Sequence, residues 1–229
     1  MSLNNISKKQ LEDVKININN YLDTLDGINE IRGDIVYLLK QIIFFKMLSL
    51  ASQDDITKGF YLKIVSDLYY IIDCLQKKQV RYFYFNVRSL LENYLRLLMK
   101  TTTENNHITN EVFRKFKEKF STITNQQFIL HEEEFSLIKS EYSTACEFVH
   151  GGEVIKDSLV FVSDDFIIPD DFSRKNKCEK IRTILKIFNR LLLHEAYEDI
   201  DSTFHRKKTI LEYLNRKSFR DALELLKSN

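Results

Sequence analysis

The near absence of residues that end helices constrains the fold of this chain most. Its 229 residues contain one proline and five glycines. These two residue types punctuate helices and form tight turns, so their scarcity predicts long helices joined by short connections. With 44% apolar and 29% charged residues, the chain has the composition of a globular protein with a sizeable core. The sequence therefore predicts an all-α fold.

Apolar residues recur at intervals of three and four along most of the chain, which is the spacing of amphipathic helices. We expect a multi-helix bundle of long antiparallel helices that forms a single domain over residues 1–229. Its N-terminal helical hairpin (1–52) is expected to pack on a core bundle (55–200), with C-terminal helices over 201–229. The pattern changes at 158–168, where two short apolar runs flank Ser-Asp-Asp, and this predicts a small β-hairpin or extended excursion.

The most apolar window, residues 35–51, is interrupted by Lys40, Gln41 and Lys46. Charged side chains are costly at the centre of a bilayer, so the window predicts a buried central helix and no membrane association. The N-terminal sequence lacks the basic-then-apolar pattern of a signal peptide. The three widely spaced cysteines favour neither disulfides nor a zinc site. We expect a cytoplasmic protein with no metal and no cofactor.

The formal net charge of +1 gives the whole chain no pull towards nucleic acid or an anionic membrane. Charge is nevertheless unevenly distributed in one region. Residues 153–171 carry six acidic side chains and one lysine, whereas residues 172–190 carry seven basic side chains and one glutamate. One interpretation is a solvated helix face that follows an acidic loop. The other is a local basic patch for an anionic partner.

One constellation combines groups that can do chemistry. It consists of Arg88-Ser-Leu-Leu-Glu92, within a predicted helix over 79–100, and His150 at the end of another predicted helix. In the functional interpretation, Arg88 is a fork for phosphate or a partner, Glu92 orients it, and His150 transfers protons near neutral pH. A second candidate pair is Arg190 with His194, which lie about one helical turn apart.

The structural alternative assigns Arg88 no chemistry. Its stem lies along the edge of the core and its head group pairs with Glu92. A helical wheel places Tyr82, Phe85 and Met99 on the otherwise polar side of the same helix, where they would meet a neighbouring helix. Arginine followed by glutamate four residues later is the weaker orientation for helix support, worth only a few tenths of a kcal/mol. Local helix stability is therefore a poor reason for the pair.

The segment Arg88-Ser-Leu-Leu-Glu92, followed about sixty residues later by a helix ending in Tyr142-Ser-x-x-Cys-x-x-Val-His150, resembles prokaryotic helical proteins of the HEPN-like superfamily. The resemblance covers roughly residues 60–200. It implies an all-α bundle that forms homodimers and occurs in toxin–antitoxin, CRISPR and phage-defence systems. Many such proteins are metal-independent ribonucleases in which an Arg-x(4–6)-His motif from two subunits forms a composite site.

The chain departs from that motif. Arg190 and His194 are separated by only three residues, and no other arginine precedes a histidine at the required spacing. The resemblance nevertheless implies an endoribonuclease of a defence or toxin–antitoxin system with RNA as substrate. If the chain cuts RNA, the residues themselves lead us to expect His150 as general base or acid on a ribose 2′-hydroxyl and Arg88, oriented by Glu92, as the group that stabilises charge on the phosphate. The alternative is a non-catalytic helical module for binding or dimerisation, such as an adaptor or an antitoxin-like partner of another protein.

Overall fold

The computed structural model describes residues 3–100, 108–150 and 173–228. Over these ranges the chain forms nine α-helices, two short 3₁₀ turns (Asn29–Ile31 and Gln126–Phe128) and no strand, which confirms the all-α prediction. The helices are α1 (Leu3–Leu22), α2 (Arg32–Ala51), α3 (Asp55–Lys77), α4 (Val80–Met99), α5 (Asn110–Ser121), α6 (Glu132–His150), α7 (Arg174–Glu195), α8 (Tyr197–Phe204) and α9 (Lys208–Ser228). The excursion predicted at 158–168 lies outside the described residues.

The centre of the fold is α2, which contacts α1, α3, α7, α8 and α9. Its buried apolar residues are distributed around the whole helix: Ile35, Leu38, Leu39, Ile42, Phe44, Phe45 and Leu48. A helix that is apolar all round is stable in water only when other elements cover every side. None of the helices in the described ranges is both long and apolar enough to cross a membrane.

A second layer is formed by α3, α4 and α6, with α4 in the middle. The α3–α4 hairpin turns sharply at Lys78, whose φ of 55° places it in the left-handed region at the end of α3. On its inner side α4 packs against α7, where the rings of Tyr94 and Phe188 stack with centroids 4.7 Å apart. On its other flank it packs against α6. The middle of α4 is therefore enclosed by three helices.

Buried polar side chains tie α2 to its neighbours. Gln41 is fully buried, and its Oε1 accepts a hydrogen bond from Nδ2 of Asn189 on α7 at 2.5 Å. Its Nε2 donates to the carbonyl of Leu214 on α9 at 3.4 Å. The hydroxyl of Tyr94 donates to Oδ1 of Asn189 at 3.1 Å. Because buried polar groups are costly when unpaired, these bonds set the positions of α4, α7 and α9 along α2.

The basic stretch 172–190 forms most of α7 and is largely paired. Four of its seven basic side chains contact carboxylates on other elements: Arg174 with Glu30, Lys180 with Glu141, Arg182 with Asp34, and Arg190 with Glu134. The carboxylates lie on the first 3₁₀ turn, on α2 and on α6. Much of this basic stretch therefore joins helices. The rest fits the first interpretation from the sequence, a solvated helix face.

A possible cap at Ser173 and the apolar spacing of Ile181, Ile184, Leu185 and Phe188 predict one helix from Ser173 to about Asp199. This prediction is correct at its start and wrong at its end. The Ser173 side chain caps α7, as expected, but the backbone breaks at Ala196 (φ −133°, ψ 33°) and restarts as α8. The break lets α8 pack on α2, with Ile200 and Phe204 buried. Tertiary packing thus overrides helix continuation here.

The central position of α2 leads to a first prediction. Phe44 is fully buried and contacts the rings of Phe45, Phe204 and Phe219. Replacing Phe44 by alanine should lower the free energy of unfolding by about 3–5 kcal/mol, because the cavity cannot collapse among rings held by three elements. Urea titration followed by far-UV circular dichroism measures this.

The matched control is Leu50→Ala on the same helix, because the Leu50 side chain is 77% exposed. This variant should stay within about 0.5 kcal/mol of the wild type. Equal losses in the two variants would contradict the central placement of α2.

Candidate functional site

The site begins with the packing of α6 on α4. The rings of Tyr84 and Phe148 stack with centroids 4.0 Å apart and an interplanar angle of 15°. Arg88 lies one helical turn after Tyr84, and His150 lies two residues after Phe148. The stacked rings therefore bring these two side chains together: Nη1 of Arg88 and Nε2 of His150 are 2.9 Å apart.

The third predicted residue, Glu92, lies beneath the site and accepts hydrogen bonds from three side chains. Its Oε1 accepts hydrogen bonds from Nε of Arg88 at 3.1 Å and from the hydroxyl of Tyr142 at 2.9 Å. Its Oε2 accepts from Nη2 of Arg96 at 3.1 Å. The side chains of Arg88, Glu92 and Arg96 are only 12–14% exposed. We call Arg88, Glu92, Arg96 and Tyr142 the Glu92 cluster.

The Glu92 cluster is positively charged. It contains two guanidinium groups and one carboxylate, and partial burial weakens their screening by water. Burial lowers the pKa of Arg88, but its hydrogen bond to Glu92 and neighbouring charges raise that pKa, and the raising effects win. Burial, together with the charge of Glu92, raises the pKa of the Tyr142 hydroxyl. Arg88 therefore stays cationic and Tyr142 stays a neutral donor.

The Arg88 contact defines the state of His150. A guanidinium only donates hydrogen bonds, so Nε2 of His150 accepts from Nη1 of Arg88. The lone pair on Nε2 is therefore engaged by Arg88 in this arrangement, and it becomes available to a substrate when Nη1 of Arg88 turns away. His150 is exposed to solvent, whereas the Glu92 cluster lies largely beneath the surface. A ligand arriving from solvent would meet His150 first and could then reach Arg88.

Exposed aromatic side chains adjoin the site. Phe85 is one turn before Arg88 on α4, and Tyr82 is a further turn away; they are 56% and 59% exposed. The structural alternative placed them against a neighbouring helix, but within one chain they face solvent. The surface beside Arg88 is therefore both apolar and accessible.

A buried carboxyl group lies behind the cluster. Nδ2 of Asn93 donates to Oδ2 of Asp67 on α3 at 2.8 Å. Burial raises the pKa of Asp67 from its ordinary 3.8 to about 7, against hydrogen bonds from Asn93 and Ser89 that lower it. The charge of Glu92 adds to the rise. The Glu92 cluster is thus backed by a group that takes up a proton near neutral pH.

The second candidate pair, Arg190 and His194, is engaged elsewhere. Nη2 of Arg190 donates to Glu134 at 2.5 Å and to the carbonyl of Ile129 at 2.9 Å. Nδ1 of His194 lies 3.4 Å from Oε1 of Glu195. The Arg190 contacts connect α7 to α6 and to the residue that follows the second 3₁₀ turn. The structure therefore brings Arg88, Glu92 and His150 together, whereas Arg190 and His194 have separate partners.

Two members of the Glu92 cluster, Arg96 and Tyr142, were given no role in the site by the sequence analysis. Arg96 follows Glu92 by four residues, the favourable orientation for a helical ion pair, so its role was accessible to sequence reasoning. Tyr142 is brought to Glu92 only by the packing of α6 on α4. No group of three or more His, Cys, Asp or Glu side chains within the described ranges has the geometry to hold a metal ion.

No family model, curated protein or solved structure matches this chain. The functional assignment therefore rests on the geometry of the site, together with the sequence resemblance.

The raised pKa of Asp67 leads to a second prediction. The folded state binds the Asp67 proton more tightly than the unfolded state, so its ionisation costs stability increasingly as pH rises from about 4 to 7. Asp67→Asn cannot ionise and should become more stable than the wild type as pH rises. The gain between about pH 4 and pH 8 should be on the order of 2–4 kcal/mol, measured by urea titration at each pH.

Asp73→Asn is the control on the same helix, because the Asp73 side chain is 41% exposed and pairs with Lys77. Its effect on the free energy of unfolding should be below about 1 kcal/mol at every pH. If Asp67→Asn gains nothing between the two pH values, the buried carboxyl is not protonated near neutrality.

Proposed function

We propose that this protein is a metal-independent endoribonuclease of the HEPN-like kind, with Arg88 and His150 at its active site. The observation that carries the proposal is the 2.9 Å contact between Nη1 of Arg88 and Nε2 of His150, two residues that are 62 positions apart in the chain. An arginine and a histidine in contact at the surface combine a phosphate-binding fork with a proton acceptor. The HEPN-like resemblance supports the same pairing of residue types.

The proposed reaction is a transesterification within RNA. Nη1 of Arg88 moves from Nε2 of His150 to the phosphate, which frees Nε2 to take the proton from a ribose 2′-hydroxyl. The 2′-oxygen then bonds to the adjacent phosphorus. The bond from phosphorus to the 5′-oxygen breaks, and that oxygen takes a proton from water; the protonated His150 then gives its proton to the resulting hydroxide. The products are a 2′,3′-cyclic phosphate and a 5′-hydroxyl. Arg88 stabilises the negative charge that builds on the non-bridging phosphate oxygens.

The remaining members of the Glu92 cluster act on Arg88 rather than on the substrate. Glu92 accepts from Nε of Arg88, so the guanidinium is held by one edge while Nη1 is directed to His150. Tyr142 and Arg96 also donate to Glu92 and hold it in place. Because the Arg88 guanidinium is already held by Glu92, it loses less conformational entropy when it binds phosphate. Arg96 adds the second positive charge near an anionic substrate.

In biological terms, the proposal places the protein in a prokaryotic defence or toxin–antitoxin system, as a homodimer that acts on RNA. The basis is the HEPN-like resemblance. Both halves of the proposed site lie within one chain here, so a dimer is not required to assemble Arg88 with His150. Dimerisation would instead add RNA-binding surface or regulate access.

A third prediction tests the enzyme directly. Incubation of the protein with a mixed-sequence RNA in the presence of EDTA should give products ending in 2′,3′-cyclic phosphate. His150→Ala and Arg88→Ala should each lower the cleavage rate. For His150→Ala, which removes the general base, the loss should be on the order of 10²–10⁴-fold. Arg88→Lys keeps the charge but loses the fork, so it should fall between the wild type and Arg88→Ala.

His205→Ala and Arg114→Ala are the matched controls, because both residues are exposed and lie outside the site. They should cleave at the wild-type rate. Since His150 is also exposed, its variant tests catalysis without endangering the fold. Equal rates for the wild type, Arg88→Ala and His150→Ala would exclude the enzyme proposal.

A second candidate function, a non-catalytic dimerisation module, is favoured by a different observation. Tyr82 and Phe85 are more than half exposed on one side of α4. Large exposed apolar side chains that adjoin each other mark interaction surfaces more often than isolated ones do. In this function the surface of α4 pairs with a second copy or with a protein partner, and Arg88 with Glu92 forms part of the interface.

A fourth prediction tests the dimerisation module. For the module, Phe85→Ser should convert a dimer to a monomer in sedimentation-velocity experiments, because it removes an apolar side chain from the centre of the interface. Tyr70→Ser on α3 is the control, since Tyr70 is 58% exposed and lies on a different helix. A wild-type protein that stays monomeric at all accessible concentrations excludes the homodimeric form of the module.

A further inference from the structure

A cavity of about 240 Å³ lies between α7 and α9, away from Arg88 and His150. Its polar lining includes Tyr37, Asn189, Arg190 and Asn215, together with the exposed side chains of Lys186 and Arg216. Phe219 and Phe128 contribute apolar walls. Two of the basic side chains, Lys186 and Arg190, belong to the basic stretch 172–190. Arg190 joins α7 to α6 through Glu134, whereas Lys186 forms no ion pair with the residues that the structure describes.

The charges around the cavity are not balanced. Arg190 pairs with Glu134, but Lys186 and Arg216 add two further cations to the lining. The nearby Arg182 is held by Asp34 at 2.7 Å. Burial lowers the pKa of Lys186, as do the charges of Arg216 and Arg182, against the opposing effect of Asp34. The cations repel one another, and an anion in the cavity would relieve that repulsion.

Hydrogen-bond donors at the cavity also lack acceptors. Oδ1 of Asn215 accepts from Nε2 of Gln41 at 3.2 Å and from Nδ2 of Asn189 at 3.4 Å, which fixes the orientation of the amide. Nδ2 of Asn215 is then buried with no acceptor among the residues of the described ranges, and the same holds for Nε of Arg190. An unpaired buried donor costs about 1–3 kcal/mol. Both donors belong to residues that line the cavity.

The backbone at Arg216 is strained. Arg216 has φ 75° and ψ 164°, inside an otherwise helical α9 that kinks at this residue. This region of backbone space is essentially restricted to glycine, and such strain persists where the surrounding structure demands it, often at ligand sites. The kink brings an arginine to the cavity immediately after Asn215. A glycine would fit this backbone better but would carry no charge.

We propose that the cavity between α7 and α9 is a binding site for a small phosphorylated molecule. Arg216 and Lys186 contact the phosphate, and a small movement of the Asn215 side chain lets its buried Nδ2 donate to one of the phosphate oxygens. The carbon part of the ligand lies against Phe219. Arginine forks and unpaired amide donors suit the several acceptor oxygens of a phosphate group. The site is separate from Arg88 and His150 and does not depend on the ribonuclease proposal.

Isothermal titration calorimetry with two probes, inorganic phosphate and AMP, tests the site, and adenosine serves as the uncharged control. Binding of AMP alone, or of AMP and phosphate, supports the proposal, whereas binding of neither at millimolar concentration overturns it. Equal affinity for AMP and adenosine also overturns it, because the phosphate would then contribute nothing.

Arg216→Gly is the informative variant. Glycine adopts the observed backbone without strain, so the thermal midpoint of the free protein should equal or exceed that of the wild type. Its affinity for the phosphorylated probe should fall roughly tenfold or more, because the fork is lost. A variant that is as stable as the wild type and binds as tightly would overturn the assignment of Arg216.

Two further variants localise the effect. Lys186→Gln removes a second cation from the lining and should also weaken binding. Lys217→Gln removes the neighbouring exposed charge, which lies outside the cavity lining, and should leave affinity unchanged. Arg88→Ala should likewise bind the probe normally. Loss of binding in Arg88→Ala, with normal binding in Lys186→Gln, would place the anion at the other site and overturn the proposal.

Discussion

Burial of most of the surface of α2 is the constraint on which the other helices depend. Its apolar side chains point in all directions, so the helix is stable in water only when it is surrounded. Five other helices provide that cover, and α8 exists as a separate helix because the chain turns at Ala196 to place Phe204 on α2. The remaining layer of α3, α4 and α6 is anchored to this centre through α3 and through the packing of α4 on α7.

Polar groups within this apolar framework decide how the helices align. Gln41 is fully buried and finds acceptors and donors on α7 and α9, so those helices cannot slide without leaving it unpaired. Glu92 has the same effect between α4 and α6, because Tyr142 donates to it across the helix contact. The alignment of α4 with α6 also brings His150 to Arg88. The same hydrogen bond that satisfies the buried Glu92 therefore helps to assemble a candidate active site.

Much of the fold was accessible from residue types and spacing. The scarcity of proline and glycine predicted the helices, and the cap at Ser173 was predicted correctly. The end of that helix was not, because Ala196 carries no local stop signal and the break follows from contacts made by α8. The exposure of Tyr82 and Phe85 was also missed, since the wheel shows where a side chain points on a helix but not what covers it.

The sequence by itself determined the class of fold and the candidate residues, because helix propensity, capping and apolar period are local properties. It placed Arg88 and Glu92 one turn apart and His150 at a helix end. Only the tertiary structure decided that Arg88 meets His150, that Arg190 and His194 have other partners, and that the strained Arg216 lines a cavity. The physical reason is that such contacts depend on how whole helices pack, and packing is set by many distant side chains together.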